Sequence, residues 1–511
     1  MNLAYKLLEN YNKMPNKICL IQDDEKITYK ELYNRVSNFK KYLESKGIKK
    51  GNKVLVLVPM SIELYVTLLS IWSIGATPCF MDAGFIKTGM KKNEFNDIDA
   101  VIGITKYILY SNINKNLSNL KLKINVNVIN KLKGNLELKI EDVEDDFSGI
   151  LTYTSGTTGK PKIAARSHEF LQFQGKILEE SINYEEKDIE LSSIPIFTLS
   201  NINVGITTVI ADGNYSNLGN SNAKKLVKQI KDNDINRIMA APGLLNVITE
   251  YCIRNNVKLK NITKIFTGGG AVFLDFVDNL KSVFPNAQIV TLYGSTEAEP
   301  IAKLNINDIT KKDIENTKNG KGILAGNIIG VEDCKIIKTG IKEIGDITKE
   351  EFEKMQTTEI GEIVVTGKNV LKGYVGGIGD KENKFSVEEK KYHRTGDLGL
   401  IDENNRLWLR GRIKEPFFNI EAALHSKFKM GKTAIFKEKD KIILVLERDN
   451  DISENDIKKA ISFENIDEIK YVKKIPVDKR HSTKVDYNEL KKILKKQKER
   501  EAIVNFIRFK N

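Results

Sequence analysis

The sequence predicts an α/β protein. A large N-terminal part holds layered, largely parallel sheets with helices, and a small α+β part follows at the carboxyl end. Two observations predict this. Short β-branched runs are each followed by an amphipathic stretch of helical length, and glycine-bearing motifs fall directly after several of those runs. The pairs are 54–58 then 61–74, 237–240 then 244–253, and 262–266 then 273–284. In such sheets ligands sit beyond the strand carboxyl ends. The segment 154–162, Gly268-Gly269-Gly270, and Gly294 after the run 289–292 are therefore candidates for one shared crevice. Around Leu409-Arg410-Gly411-Arg412 the pattern changes to a shorter βα segment, with a strand over 441–446 and a helix over 454–461. The boundary is placed there, giving units 1–410 and 411–511. A chain of 511 residues exceeds what one hydrophobic core usually serves, which also asks for at least two domains.

Composition excludes several classes of function. There are 81 basic and 68 acidic residues, a balance of +13, but the charges are interspersed. A nucleic-acid binder needs a basic stripe with stacking aromatics, and the sequence has none. The terminal run Lys491, Lys492, Lys495, Lys496, Lys498 and Arg500 lies opposite Leu490, Ile493 and Leu494, as on an amphipathic helix with a solvated basic face. Cys19, Cys79, Cys252 and Cys334 are scattered and form neither a disulfide framework nor a zinc pattern, which fits a reducing cytoplasm. The first residues carry Lys6, Glu9 and Lys13 among the apolar ones, unlike a secretory signal. The longest apolar stretch, 62–74, is shorter than the ~20 residues a bilayer span requires, so no membrane span is expected. No internal repeat or low-complexity linker occurs.

The segment Thr154-Ser155-Gly156-Thr157-Thr158-Gly159-Lys160-Pro161-Lys162 carries the first chemistry. Glycines let backbone N–H groups converge on an anion, hydroxyls add donors, and lysines supply charge, so the loop suits a polyphosphate. It is not a Walker loop, which needs glycine at position 154 and Ser or Thr at 161. Taken alone, a segment of this composition reads as a flexible linker. Tyr293-Gly294-Ser295-Thr296-Glu297 and Thr395-Gly396-Asp397 are equally weak in isolation, since a glycine beside a carboxylate is usually a turn with a helix cap.

The ordered set is specific. The glycine loop, Gly268-Gly269-Gly270, Tyr293 to Glu297, Arg394-Thr395-Gly396-Asp397, Gly411-Arg412 and a lysine near the carboxyl end together resemble the adenylate-forming superfamily. That superfamily comprises acyl-CoA synthetases, luciferases and peptide-synthetase adenylation domains. The resemblance runs from about Ile27 to about Leu490. Gly75-Ala76-Thr77-Pro78, Met81-Asp82-Ala83-Gly84, Ile102-Gly103-Ile104 and above all the stretch from Pro476 to Lys484 look like the branch of fatty-acid CoA ligases and olefin-biosynthesis β-lactone synthetases.

The resemblance implies a fold with a small mobile C-terminal domain. It also implies a reaction in which a carboxylate attacks the α-phosphate of ATP, releasing pyrophosphate and leaving an acyl-adenylate. Positioning and cationic stabilisation carry most of such catalysis. By the same resemblance Thr154, Ser155, Gly156, Thr157, Thr158, Gly159 and Lys160 hold the β- and γ-phosphates, and the Tyr293 ring stacks on adenine near Gly269, with Gly294 beside it. Thr296 donates to the α-phosphate, and Glu297 binds Mg2+, a hard cation that favours carboxylate oxygen. Asp397 accepts from both ribose hydroxyls, Arg412 reinforces that grip, and Lys484 is the catalytic cation. Asp397 alone reads as a turn residue, Arg412 as a surface ion pair, and Lys484 as one more exposed lysine.

Three departures from the pattern bear on function. The segment from Ile413 to Glu421 lacks the glycine-containing hairpin that in ligases helps shape the pantetheine tunnel, and Lys414 sits at the hinge position, which leaves transfer to CoA open. An aromatic-His pair common after the proline of the fourth motif is here Ile196-Phe197-Thr198, so the gate to the acid is assigned to Phe197 and the Thr198 hydroxyl. Ile163 replaces the glycine after the loop lysine. His168 is read as a capping or packing residue, because an ionised carboxylate needs no base. The absence of a basic residue in the gate motif favours an apolar, fatty or 3-hydroxy acyl, acid. The fates open to the adenylate are attack by the substrate's own 3-hydroxyl to give a β-lactone, or transfer to CoA, an acyl carrier protein or an amine. A nucleotide-binding protein that has lost catalysis is the reading from a different class.

Overall fold

The computed structural model describes residues 1–81, 97–114, 117–120, 122–154, 162–215, 217–428, 430–448, 452–477 and 485–510. Among them three sheets organise the chain. The first has the strand order Leu122–Asn125, Ala100–Gly103, Lys53–Leu57, Thr77–Met81, Ser148–Thr154 and Lys162–Ser167. It is parallel until the last pair, which is antiparallel. The helix Ile62–Ser73, started by Ser61 accepting from Leu64 N–H, is buried along nearly its whole length between this sheet and the helix Tyr29–Ser45. That all-round burial explains its almost uninterrupted apolar run.

The second sheet is the frame of the molecule. From Gln288–Ser295 outward through Lys264–Gly268, Arg237–Met239, Ile189–Ser192, Thr207–Ile210 and Ile18–Gln22, every pairing is parallel. Leu191, Val209, Ile238, Ile265 and Ile289 pack on one face against the helices Ala223–Asp232, Pro242–Arg254 and Leu274–Val283. The helices His168–Ile182 and Pro195–Val204 cover the other face through Leu178, Ile182 and Phe197. Burial on both faces is what writes continuous β-branched runs into parallel strands.

Beyond Gln288–Ser295 the same sheet continues antiparallel through Ala298–Asn305, Ile323–Ile328, Arg406–Arg412, Lys390–Ile401, Gly361–Thr366 and Asp333–Ile337. The layered α/β architecture is as expected, but this antiparallel half is an addition to the parallel pattern read from the sequence. It is less apolar and more charged than the parallel half. Its strand Lys390–Ile401, for example, carries Lys390, Lys391, Arg394 and Asp397.

After Arg412 the chain leaves the large sheet. The connection to the helix Phe418–Lys427 is short: Arg412 and Glu415 exchange backbone hydrogen bonds around a two-residue turn at Ile413-Lys414, and Ile413 N–H donates to Gly396 O. Three strands follow, Thr433–Glu438, Lys441–Glu447 and Glu468–Val472. Phe418–Lys427 and Glu454–Ala460 lie on one face of them, and Leu490 of the final helix lies on the other. Lys491 of that helix sets its ammonium 5.1 Å from the Phe436 ring, while Ile493 and Leu494 pack on the core beneath. No helix among the described residues is long and apolar enough to cross a membrane. The four cysteines are buried free thiols.

Candidate active site

The switch from parallel to antiparallel pairing falls on one hairpin. Gln288–Ser295 does not stop before Tyr293, as the sequence suggested, but runs through Ser295 and turns back at Thr296-Glu297 into Ala298–Asn305. Gly294 makes the turn possible: a Cβ there would stand 2.8 Å from Ala298 O. A topological switch of this kind opens a crevice at the strand ends. Gly268 pairs with Leu292, so Gly269, at φ +76°, lies one step further along, beside Tyr293.

On the other side of the hairpin comes Lys390–Ile401. Asp397 sits inside this strand, not in a turn, paired with Arg412 across the ladder. Gly396 takes φ +72°, and Thr395 fixes the local shape by donating its hydroxyl to Ile363 O while accepting from Asp397 N–H. The Asp397 carboxylate then meets Tyr293 and Arg412. Tyr293, 104 residues earlier, donates its phenol to Oδ2 at 2.7 Å, and Arg412 Nε lies 2.9 Å from Oδ1. Burial, then the Asp397 charge, pushes the Tyr293 phenol well above its ordinary value, so it stays a donor. Arg412 is also held by its Nη1 donating to Thr395 O at 3.1 Å, which makes it more than a surface ion pair.

Glu297 occupies the hairpin turn with Thr296, both partly exposed. Its Oε1 accepts from the Tyr374 hydroxyl at 2.8 Å, and its backbone carbonyl accepts from Leu371 N–H at 2.7 Å. No group of three or more His, Cys, Asp or Glu side chains among the described residues could hold a metal ion by itself. A site with one carboxylate fits Mg2+ bound jointly by protein and substrate phosphates, the usual arrangement for that ion. Next along the hairpin, Glu299 accepts from Gln174 Nε2 at 3.1 Å, and burial raises its carboxyl against the pull of Arg166. Arg166 donates to Thr152 Oγ1 at 3.1 Å, in the two strands that flank the glycine loop.

Phe197 and Thr198 lie in the first turn of Pro195–Val204 and are almost wholly buried. Phe197 packs with Leu178, Ile182, Met239, Phe266, Val290 and Leu292, which places it under the strand Gln288–Ser295 that carries Tyr293. His168 is a packing residue, as read from the sequence: it follows the N-cap Ser167, accepts from Leu3 N–H through Nδ1, and lies between the Trp72 and Phe147 rings. Thr154 closes the strand Ser148–Thr154. Ser155, Gly156, Thr157, Thr158, Gly159, Lys160 and Lys484 lie outside the described residues.

The structure thus brings Gly269, Tyr293, Gly294, Thr296, Glu297, Asp397 and Arg412 to one end of the frame sheet. Sequence reasoning missed Tyr374, Lys384, Arg166 and Glu299. Nothing local marks them: Lys384 becomes distinctive only once it is buried, beneath Tyr374 with its ammonium 5.6 Å from the ring.

Residues 7–375 match the AMP-binding enzyme family. Among curated proteins, an olefin β-lactone synthetase of Stenotrophomonas maltophilia is 24% identical over 447 residues, spanning 80% of this chain and 79% of that protein. A 4-coumarate-CoA ligase of Narcissus pseudonarcissus is 23% identical over 518 residues, spanning 92% and 89%. Among solved structures, O-succinylbenzoate coenzyme A synthetase of Bacillus subtilis in complex with ATP and magnesium ion superposes with a TM-score of 0.73 at 18% identity, covering 95% of this chain and 99% of that one. That likeness is one of fold.

Proposed function

Because this chain belongs to the AMP-binding enzyme family, we propose that it activates a carboxylic acid with ATP and Mg2+ to an acyl-adenylate. The observation that carries this reading is the Asp397 carboxylate, held between the Tyr293 phenol and Arg412 beside the hairpin turn that carries Glu297. An ionised carboxylate presenting two acceptor oxygens suits a ribose diol, and the Tyr293 ring beside Gly269 suits a flat base. Glu297 would hold the cation, which neutralises charge on the polyphosphate. Thr296 would donate to the α-phosphate, the loop from Thr154 to Lys160 would hold the outer phosphates, and Lys484 would approach the α-phosphate from the C-terminal unit, residues 411–511. The acid would lie over Phe197 and Thr198. A carboxylate oxygen bonds to the α-phosphorus as the bond to pyrophosphate breaks, and most of the barrier is lowered by positioning and charge.

For the second step the reading is β-lactone closure. The substrate's 3-hydroxyl oxygen bonds to the acyl carbon, the acyl–phosphate bond breaks, AMP leaves, and the hydroxyl proton passes to solvent. The two-residue turn at Ile413-Lys414 supports it, because the segment that would line a thiol tunnel is absent between Arg412 and Phe418. The likeness to the olefin β-lactone synthetase supports it as well. Transfer to CoA or a carrier protein is the second reading, favoured by the longer match to the 4-coumarate-CoA ligase. A cytoplasmic location accords with four free thiols.

ATP–pyrophosphate exchange across a panel of free acids, with mass spectrometry of the products with and without CoA, tests both steps. Acid-stimulated exchange is expected, with a product equal to substrate minus water in the absence of CoA. A thioester would select the second reading. Exchange indifferent to every acid would leave a nucleotide binder without catalysis.

A further inference from the structure

Three distant segments close around the Tyr374 ring. Ala164, on the strand that leaves the glycine loop, forms a bridge with Tyr374, and Ala298, beside Glu297, forms one with Val370. Tyr374 N–H donates to Asp380 Oδ1 at 2.8 Å. Its hydroxyl donates to Glu297 Oε1 at 2.8 Å, and two ammonium groups lie over the ring, Lys162 Nζ at 5.3 Å and Lys384 Nζ at 5.6 Å from the centroid. Lys384 is 7% exposed and donates to Leu371 O. Burial lowers its ammonium to about 7 while Glu297 and Asp380 oppose that fall, so the carboxylates compensate a cation that has lost most of its water. The aromatic face adds cation–π attraction. Nothing in this arrangement requires the phenolic oxygen for packing; among the described residues it bonds to the carboxylate at the turn.

We propose that Tyr374 is a positioning residue for the divalent cation, fixing Glu297 through Oε1 so that Oε2 is the atom offered to the metal. This rests on the reading of Glu297 as the Mg2+ ligand. Oε2 has no hydrogen-bond partner among the described residues. A free glutamate has three side-chain torsions to order on binding, and a hydrogen bond to one oxygen removes much of that cost beforehand. Lys162 and Lys384 hold the ring, and the ring holds the hydroxyl.

The test is calorimetric titration of the whole chain with α,β-methylene ATP, whose α–β bridge is not cleaved, in Mg2+ and in EDTA. Wild type should bind more tightly with Mg2+. Tyr374→Phe keeps the ring beside both lysines and loses only the hydroxyl. Its affinity in EDTA should equal that of wild type, while the enhancement by Mg2+ falls about tenfold, the usual cost of removing a group behind a metal ligand. Glu297→Gln should lose the enhancement altogether. Equal weakening of Tyr374→Phe with and without Mg2+ would mark a structural role and overturn the proposal. So would a wild-type enhancement in Tyr374→Phe alongside its loss in Glu297→Gln. Retention of the enhancement in Glu297→Gln would instead remove the metal-ligand reading, and the proposal with it.

Discussion

His425 Nδ1 lies 2.8 Å from Asp275 Oδ2, and its imidazole stacks on Phe273 with the ring centroids 4.5 Å apart. The pair joins the first helix after the short connection, Phe418–Lys427, to Leu274–Val283 on the face of the frame sheet. Arg410 and Glu464, 3.6 Å apart, and the Phe463 ring, packed against Gly320, add to the same contact. It therefore bears on which orientation the C-terminal unit holds.

Asp275→Asn removes the charge and keeps the shape. Trypsin cleavage within 412–415 should speed up several-fold, because the connection is exposed more often when its anchor is weakened. An unchanged rate would mean that the stacked Phe273 and the Arg410 contact hold the orientation without the carboxylate.

The Asp397 carboxylate predicts how nucleotide affinity divides. Asp397→Asn replaces charge-assisted acceptance by a neutral amide and should weaken AMP roughly 10- to 100-fold, at about 1.5–3 kcal/mol for hydrogen bonds to a charged group. Tyr293→Phe keeps the ring and loses only the phenol donated to Asp397. It should cost less than Asp397→Asn does, since the phenol only orients the carboxylate that accepts from the ribose. Calorimetry with AMP distinguishes the two. A larger loss in Tyr293→Phe than in Asp397→Asn would show that the phenol, not the carboxylate, grips the nucleotide.

How much of the molecule is legible in its sequence depends on which force shaped each element. Lys53–Leu57, Arg237–Met239 and Lys264–Gly268 are flanked by helices, so their apolar runs announce them within two residues of the observed ends. Lys390–Ile401 is antiparallel and charged, and its Thr-Gly-Asp composition imitates a turn. The buried set in which Arg237 meets Asp188 at 2.7 Å and Glu190 at 3.1 Å is invisible in the sequence, since each looks like a surface charge until the pairing of Ile189–Ser192 with Arg237–Met239 brings together residues 49 and 47 positions apart. Tyr374 and Lys384 escape notice for the same reason, in a chain with 81 basic residues. Gly269, Tyr293 and Asp397 are legible only as members of an ordered set, because backbone pairing and not local composition brings them together.

Lys484→Ala should reduce pyrophosphate exchange at least about 100-fold, the scale lost when one preorganised stabiliser of transition-state charge is removed. The thermal midpoint should match that of wild type. Undiminished exchange would transfer the role to another cation, with Arg166 and Lys162 the first to examine, since both lie on the strand that leaves the glycine loop.

Stability should depend on acid through His168. Burial first, and then the N-terminal ammonium, lower its imidazole to about 4 against the opposing pull of Asp145. Nδ1 accepts from Leu3 N–H at 3.2 Å, which only the unprotonated nitrogen can do, and Trp72 and Phe147 close the pocket. The unfolded chain takes up this proton near 6.5. The folded state therefore gains stability from a neutral ring above pH 6.5, and that gain is lost as the pH falls toward 4. By pH 4.5 the loss amounts to about 2 kcal/mol, since each tenfold difference in proton affinity between the folded and unfolded chains is worth about 1.4 kcal/mol. His168→Asn places an amide oxygen near the Nδ1 position and cannot titrate. Denaturant unfolding at pH 7 should show the variant less stable than wild type by about 1–2 kcal/mol, the cost of a partly emptied pocket. Between pH 7 and 4.5 wild type should lose about 2 kcal/mol more than the variant does. Parallel losses would place the acid sensitivity in other groups.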